Sequence, residues 1–490
     1  MKWVLFKDGK VIDGLGNEPA LNTSVLVRGN RIHAVSADLT EESVRDEIVP
    51  RDDTLTVVDA SDRTVMPGLI DGHCHFSFGH PRSQEEMDLY TPVEIRTLRT
   101  AWNAKRILRA GVTSVSQPGG AYYIGVGVRE AVGEGIVEGP RIFTAGRQMS
   151  TSNGIGDYYP DTVGVPDGSV GTLANTPDEM KRQVRIDIKN GVDFIKVADS
   201  PFGEFQAFTD DELKMICDLA HQMKTPVAIH ARGNDETKAA IRAGVDWIMH
   251  SNIMDDEAVS ALAESKIPLV PALSLLANWA DFGHLVGVPV GLRDACKGML
   301  EKSADSYARA TAAGVKFGMG AESGFAITPC GEWHAREIEL LADYAGLTQV
   351  QAIQTATSNA ALTVGLEGEV GVIQAGMLAD IIVVNGDPAT DIRALQRKEN
   401  IEVVMKDGEI VDFSDEERLA LRPYAPAQIF QTEMLMFSTV YGDTETPESP
   451  FEPMPWSADD GKDLANDIRK REVIVQGETS SSTGAPRVAE

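Results

Sequence analysis

The length, composition and charge of the chain limit what it can be. Its 490 residues suffice for one large domain with a satellite, and 42% hydrophobic with 24% charged residues is typical of a folded globular protein. Asp and Glu outnumber Lys and Arg by 74 to 45, and the net charge of -29 repels phosphate backbones and anionic lipids. We therefore expect neither a nucleic-acid nor a membrane partner, but a small-molecule substrate.

The N-terminal residues and the cysteines indicate a reducing compartment. The opening sequence MKWVLFKDGKVIDG alternates like a β-strand and lacks the continuous apolar stretch of a signal peptide. The cysteines at 74, 217, 296 and 330 are widely spaced and form no CxxC motif, so we expect unbridged thiols. The sequence therefore predicts a cytoplasmic protein.

Short strands are predicted at both ends of the chain. Residues 3–35 contain strand-like runs separated by glycine turns, and residues 378–412 repeat that style. We predict that residues 1–64 and 365–422 pair into one small β-sandwich domain.

Between these ends, apolar runs alternate with amphipathic helical stretches, as in repeated βα units around a parallel sheet. Eight such runs begin at residues 65, 113, 141, 194, 226, 247, 267 and 316. The helices between them carry start signals, since Thr176 and Thr209 are each followed three residues later by a glutamate that completes a capping box. The fold class is therefore α/β, and residues 65–364 are predicted to form a (β/α)8 barrel of the TIM type.

The regular pattern stops after about residue 423. The apolar segment 429–442 is too long to remain in water, so it covers either a neighbouring subunit or its own barrel, and both alternatives stand. The last dozen residues have a composition typical of disorder. Residues 423–490 are therefore predicted to be a partly disordered extension, and we expect a homo-oligomer.

Histidines stand at the carboxyl ends of the predicted strands, where a barrel of this type has its active site. His73 and His75 end the first run, and side-chain alternation points both imidazoles to the same side, about 7 Å apart along the backbone. His230 and His250 end the fifth and sixth runs. Their joint placement favours a metal site over four unrelated structural histidines.

Two other ionisable residues occupy strand ends. Lys196 lies in the apolar run DFIKVA, where a charged ammonium is costly unless it is paired or chemically altered. As a neutral amine it can take up carbon dioxide and become a carbamate that bridges two cations. Glu322 follows the eighth run and offers the carboxylate that a metal-dependent hydrolase needs to orient or deprotonate water.

With these residues identified, the chain resembles the amidohydrolase superfamily over roughly residues 1–412. The most specific stretch is VMPGLIDGHCH, and GVDFIKVADS, VAIHARG and IMHSN are also similar to the imidazolonepropionase-like and prolidase-like branch. The resemblance implies that His73 and His75 hold one metal and that His230 and His250 hold the other, with a carboxylated Lys196 as the bridge. Of the two divalent ions, zinc is expected first, while iron, cobalt or manganese would also suit these ligands.

Three positions depart from the pattern of that branch. Glu322 stands where the family has an aspartate, and the extra methylene weakens direct ligation, so Glu322 is expected as the base and as a weaker metal ligand. Ile155 replaces a histidine of the strand-three loop, and Arg232 replaces a histidine or tyrosine after strand five. Both residues, with Tyr122 and Phe202 near strand ends, are expected to line the substrate pocket.

The expected reaction is hydrolysis of a C–N bond in an amide, urea or carbamate, by a metal-held hydroxide that attacks the carbonyl while Glu322 carries the proton to the leaving nitrogen. The apolar lining favours an apolar substrate, and the resemblance to members of the family that hydrolyse herbicides implies a urea or carbamate such as a phenylurea. Two alternatives stay open. One is a dipeptidase or ochratoxin-type aryl-amide hydrolase in which Arg232 binds the substrate carboxylate, and the other is a metal-free, non-catalytic barrel scaffold.

Overall fold

The structure of the protein is a computed structural model, and residues 1–414 and 434–441 are described. Its strands are β1 Lys2–Val11, β2 Ala20–Arg28, β3 Arg31–Ser36, β4 Thr54–Asp59, β5 Thr64–Pro67, β6 Leu69–Asp71, β7 Val112–Gln117, β8 Arg141–Thr144, β9 Gln148–Ser150, β10 Gly171–Leu173, β11 Ile195–Ala198, β12 Val227–Ala231, β13 Trp247–His250, β14 Leu269–Val270, β15 Ile381–Val384, β16 Ile401–Lys406 and β17 Glu409–Ile410.

One short α-helix lies between β3 and β4 of the N-terminal strands, and the others lie between or after the barrel strands. The α-helices are α1 Glu41–Ser43, α2 Val93–Arg109, α3 Ile124–Gly133, α4 Pro177–Lys189, α5 Asp210–Gln222, α6 Asn234–Ala243, α7 Asp256–Ser265, α8 Ser274–Phe282, α9 Val290–Ala312, α10 Arg336–Ala345, α11 Gln349–Thr355 and α12 Phe437–Tyr441. None of these described helices is long and apolar enough to cross a membrane.

Strands from near both chain ends share one sheet, while the predicted bounds 1–64 and 365–422 of the β-domain stay a prediction and residues 415–422 lie outside the described residues. The eight strands of this sheet follow the order β17-β16-β15-β5-β1-β2-β3, with β4 also paired to β1. The first predicted barrel run is divided, because β5 joins this sheet and β6 begins the barrel. Gly68 separates them and allows a close approach, since a Cβ at this position would lie 2.3 Å from the Thr113 side chain.

The central part of the chain closes into the predicted barrel. Parallel pairing joins β6 to β7 and β8, and β9 to β11, β12, β13 and β14, with β8 and β9 as two pieces of the third strand. The segment after α9 closes the ring. Leu269 of β14 donates its N–H to the carbonyl of Lys316, and Gly72 after β6 donates to Met319, both at 2.9 Å. The eight-stranded α/β barrel is therefore confirmed.

The helices that surround the barrel begin where the capping signals predict. Thr176 accepts the N–H of Glu179, and the Glu179 carboxylate accepts the N–H of Thr176 at 3.0 Å. Thr209 and Glu212 make the same reciprocal pair at the start of α5. These caps satisfy backbone donors that would otherwise lack partners, so the helix starts are fixed locally by sequence.

The described part of the C-terminal apolar segment packs on its own barrel. The N–H of Leu435 donates to the carbonyl of Ala326, and Trp333 Nε1 donates to the carbonyl of Leu435, at 2.9 and 2.8 Å. The rings of Phe437 and Trp333 lie 5.6 Å apart. Of the two alternatives for segment 429–442, packing on the barrel therefore holds for residues 434–441, while the rest of the predicted extension 423–490 lies outside the described residues.

Candidate metal centre

The inward side of the barrel strands carries the candidate ligands. Along β12, Ile229 belongs to the large core cluster with the helices, whereas Ala228 belongs to a small cluster inside the barrel. Because side chains alternate along a strand, His230 and Arg232 point to the same interior side as Ala228. Lys196 takes the interior side of β11, between two residues that pack outward.

His73 and His75 face each other just beyond β6. Their Nε2 atoms lie 3.1 Å apart, and the rings are 2% and 5% exposed. His75 Nδ1 donates to the carbonyl oxygen of Gly119 at 2.9 Å, so its Nε2 carries the lone pair. Two ring nitrogens this close in a buried place fit a shared cation, and one oxygen of Glu322 lies with them in a cluster of ligand atoms within 4.8 Å of one another.

His230 and His250 complete the group. Their ring centroids are 4.3 Å apart, and the His250 ring lies 5.1 Å from that of His73. His250 Nδ1 donates to the carbonyl of Pro271 at 3.2 Å, and the Nε2 atoms of both histidines are buried without a partner among the described residues. Backbone carbonyls that fix the Nδ1 proton while Nε2 stays open are the usual support of a metal-ligating imidazole.

The backbone at His250 explains how this residue reaches the site. Met249 lies in the cluster inside the barrel, so strict alternation would turn His250 away from the interior. The backbone of His250 has a φ of 80°, which lies in the left-handed region that residues other than glycine rarely adopt. This turn brings the imidazole back over the barrel mouth, and such strained positions cluster at functional sites.

Glu322 also adopts a left-handed backbone, with φ of 50°, and its N–H donates to the carbonyl of His73 at 2.7 Å. Its Oε1 lies 3.9 Å from His73 Nε2, and its Oε2 lies 3.6 Å from Arg232 Nη2. Burial raises the pKa of Glu322 to about 7, against the opposing charges of Arg232 and Lys196. A carboxyl group with a pKa near neutrality is suited to accepting and returning a proton.

Lys196 is buried without a strong acceptor. Its Nζ contacts the thioether sulfur of Met249 at 2.7 Å, and thioethers accept hydrogen bonds weakly. Burial lowers the pKa of Lys196 to about 7, although the nearby Glu322 carboxylate raises it. A substantial share of this amine is therefore neutral near pH 7, which is the form that can be carboxylated.

The four histidines are held in the form that binds metal. Burial lowers the pKa of His75 to about 3, and it lowers the pKa of His73, His230 and His250 well below the ordinary imidazole value. Metal ligation requires the neutral imidazole, so these rings need no deprotonation near pH 7. The open Nε2 atoms and the neutral rings together fit divalent cations.

Arg232 is fixed beside the centre. It is 4% exposed, and its Nη1 donates to Asn252 Oδ1 at 2.8 Å. Asn252 in turn donates to Ser303 Oγ at 2.7 Å and to Tyr307 at 3.2 Å, which ties the guanidinium to α9. Nη2 makes no hydrogen bond within residues 1–414 and 434–441, and its nearest carboxylate oxygen belongs to Glu322. The site thus holds a rigid cationic donor next to its carboxylate.

The predicted pocket-lining residues are placed less centrally. Tyr122 and Phe202 are 38% and 47% exposed, and no ring contact or hydrogen bond in the described structure joins either to the four histidines. Ile155 is half-buried, and its N–H donates to the carbonyl of Asp199 at 2.9 Å, which positions the strand-three loop. The structure therefore brings together the metal candidates and Arg232, while the substrate roles of these three residues stay predictions.

Sequence reasoning missed two supporting residues, Asp71 and His334. Asp71 Oδ1 accepts the N–H groups of His73 and Ala321 at 2.9 and 3.0 Å, and its Oδ2 accepts His334 Nδ1 at 2.7 Å. The carboxylate thus joins the backbone of the first and eighth strand ends. An acid two residues before the His-x-His pair was the available signal for Asp71, but no local pattern marks His334.

A closed barrel whose strand ends gather four neutral histidines, a buried lysine and a carboxylate defines a metal-dependent hydrolase. The model of the amidohydrolase family matches residues 64–411, and the chain belongs to that family. It is therefore an enzyme that hydrolyses C–N bonds, and the non-catalytic scaffold is not supported.

Known relatives support this assignment. The chain is 28% identical to the ochratoxinase of Aspergillus niger over 383 residues, which cover 71% of this chain and 75% of that protein. A crystal structure of a Xaa-Pro dipeptidase with bound methionine is 28% identical, has a TM-score of 0.73, and the match covers 84% of this chain and 100% of that chain. Phenylurea hydrolase B, at 22% identity and a TM-score of 0.67, matches 84% of this chain and 97% of its own, and shows the shared fold alone.

Proposed function

We propose that this enzyme hydrolyses the amide bond of an N-acyl amino acid or dipeptide-like compound with a free carboxylate. The observation that carries the proposal is the buried, braced guanidinium of Arg232 beside Glu322. Guanidinium groups bind carboxylates in a fixed geometry, and a buried cation without a full set of acceptors favours an anionic ligand. The ochratoxinase and dipeptidase relatives support an amide rather than a urea.

The donor set suggests how cations would be held. His73 and His75 would bind one divalent ion, His230 and His250 the second, and a carboxylated Lys196 would bridge them. Zinc is the first candidate, and iron, cobalt or manganese would suit the same ligands. When bound, the ions would lower the pKa of a water molecule toward neutrality and polarise the substrate carbonyl.

The remaining chemistry falls to residues of the chain. Glu322 accepts a proton from the attacking water and returns it to the leaving nitrogen, because its pKa lies near neutrality and it borders His73. The α-carboxylate of an amino acid lies only two bonds from its nitrogen. A cation adjacent to the proton donor is therefore correctly placed for that carboxylate, and Arg232 is adjacent to Glu322.

A second candidate is the neutral, apolar urea or carbamate, such as a phenylurea. It is favoured by an aromatic wall next to the metal candidates. Phe78 stacks on the His75 ring with centroids 4.2 Å apart, and Phe325 meets Phe78 edge-on at 5.3 Å. This wall would accept an aryl group of either substrate, so it does not by itself separate the two candidates.

The test compares N-benzoyl-L-leucine with its carboxamide and with a phenylurea in metal-loaded protein. We expect turnover of the acid, with at least about 100-fold lower kcat/KM for the carboxamide, because a charged partner of Arg232 is lost. Arg232→Met should raise KM for the acid and leave the carboxamide nearly unchanged. Arg309→Met, which removes an arginine of the outer surface, is the control. Faster hydrolysis of the phenylurea than of the acid would refute the proposal.

A further inference from the structure

Gln148, the first residue of β9, lies beside the metal candidates but has no role in the chemistry described so far. It is 7% exposed, and its amide makes no hydrogen bond with any residue of 1–414 or 434–441. The amide atoms are not among the fully enclosed polar atoms that lack a partner, so they keep contact with solvent. An almost buried amide without a protein partner gains stability when a ligand completes its hydrogen bonds.

Three glycines from different parts of the chain, two in loops and one at the start of β10, border the Gln148 side chain. A Cβ at Gly119 would lie 3.0 Å from Gln148 Oε1 and 3.5 Å from His75 Cε1, so the amide and the imidazole border the same point. Gly156 lies near Nε2, where a Cβ would be 3.8 Å away, and Gly171 lies near Cγ at 3.4 Å. The amide thus lies next to the His75 ring, and of the three glycines only Gly119 approaches it so closely that a side chain there would press on it.

Gln148 and Arg232 stand at opposite ends of a row of site residues. His75 contacts His73 at 3.1 Å, His73 approaches Glu322 at 3.9 Å, and Glu322 approaches Arg232 at 3.6 Å. A substrate whose carboxylate is bound by Arg232 has its leaving nitrogen at Glu322 and its carbonyl over the histidines. Its acyl half therefore extends toward Gln148.

We infer that Gln148 is a specificity-determining residue that hydrogen bonds to a polar substituent on the carbon next to the scissile carbonyl. A glutamine amide both donates and accepts, so an amino or a hydroxyl group satisfies it, whereas a methyl or methylene group leaves it unpaired. The inference rests on the proposed function and extends it. The substrate class becomes dipeptides and α-hydroxyacyl amino acids, in preference to simple acyl amino acids.

The experiment uses three compounds of nearly equal size, alanyl-L-leucine, lactoyl-L-leucine and propionyl-L-leucine, with the metal-loaded full chain. We expect kcat/KM for at least one of the two polar substrates to exceed that for the propionyl compound by about 10-fold, mostly through KM. Gln148→Leu should reduce that ratio to near one while retaining the metal content. Gln374→Leu, at an exposed position, is the matched control and should keep the ratio.

A second variant tests the same inference if Gln148→Leu does not fold. Gly119→Ala adds only a methyl group, which would lie 3.0 Å from Gln148 Oε1 and shift the amide by a few tenths of an ångström, and it should lower the same ratio without removing the carbonyl that supports His75. An unchanged ratio in the variant that folds overturns the inference while the proposed function stands, as does a wild-type preference for the propionyl compound. Hydrolysis of a phenylurea with no cleavage of any of the three compounds overturns both.

Discussion

Two buried groups of potential ligands flank the first barrel strand, and they differ in whether their polar atoms have partners. In the first, formed by His73, His75 and Glu322, Glu322 Oε2 and His73 Nδ1 have no hydrogen bond within the described residues. In the second, formed by Asp71, Cys74 and His334, the Asp71 carboxylate accepts three hydrogen bonds and His334 Nε2 accepts the N–H of Gly331.

The difference separates a ligand site from a structural one. Residue types alone favour the second group as much as the first, since Asp, Cys and His are all common metal ligands. Its His334 and Asp71 atoms, however, are already engaged by the protein, so a cation would have to replace existing hydrogen bonds. In the first group, His73 Nδ1 and Glu322 Oε2 have no hydrogen bond within the described residues, and the two Nε2 atoms face each other, so a cation can bind there without replacing a hydrogen bond to the backbone. The open group should therefore hold metal and the closed group should support it.

The largest expected effect comes from the open group. His75→Ala should abolish turnover and reduce bound metal, measured by elemental analysis after purification in metal-supplemented buffer, because no neighbouring side chain can replace its Nε2. His284→Ala, which removes an exposed histidine, should keep both. Normal activity in the His75→Ala protein would show that the metal centre is elsewhere.

The bridging lysine should produce a loss nearly as large. Lys196→Ala removes the amine that would carry the carbamate, so we expect loss of activity and of part of the metal. A short carboxylate such as propionate, added in millimolar amounts, should restore some turnover by occupying the vacated position. An unmodified amine in a metal-loaded crystal structure would contradict the carboxylated state.

Glu322→Gln tests the proton transfer in isolation. The amide keeps the size of the side chain and one acceptor oxygen but cannot take a proton, so kcat should fall about 100- to 10,000-fold while KM and metal content change little. Glu322→Asp should also have a lower kcat, because the carboxylate on the shorter side chain would not reach the attacking water. Near-normal kcat in the Gln variant would assign the proton to another residue.

Changes in the closed group should have smaller effects on activity than on stability. His334→Ala removes one of the three hydrogen bonds of Asp71 and leaves the N–H of Gly331 without its acceptor, and we expect a loss of about 1–3 kcal/mol in the free energy of unfolding. Bound metal should remain, with kcat/KM reduced about 10- to 100-fold through the loosened support of His73. Loss of metal equal to that of His75→Ala would remove the distinction between the two groups. His221→Ala, at the surface, is the control.

The smallest effect is the pH dependence of stability in chelator-treated protein. Because folding lowers the pKa of His75 to about 3 from an unfolded value of about 6.5, the unfolded state binds more protons in this window. The contribution of neutral His75 to the free energy of unfolding is therefore fully present well above pH 6.5 and decreases as the pH falls. We expect the free energy of unfolding to decrease by about 1 kcal/mol between pH 7 and 5.5 through this residue. Urea unfolding at pH 7 and 5.5 measures the free energy of unfolding of the wild type and of His75→Leu. An equal change between the two pH values in both proteins would disprove the prediction.

The sequence by itself determined the elements and the strand-end residues. Apolar runs, capping boxes and side-chain alternation are local, so they located the barrel strands, the helix starts at Thr176 and Thr209, the shared orientation of His73 and His75, and the position of Lys196 at a strand end. The resemblance in VMPGLIDGHCH added the family and the expected pairing of histidines with metals.

Only the tertiary structure decided which polar atoms are left open. His250 reaches the centre through a left-handed backbone that opposes strand alternation, Asp71 and His334 meet across 263 positions of sequence, and Gln148 and His75 border the same glycine, Gly119. These relations depend on the closure of the barrel, which brings remote strand ends together. A hydrogen-bond partner supplied from far along the chain has no local signal, so the distinction between an open and a satisfied cluster exists only in the folded molecule.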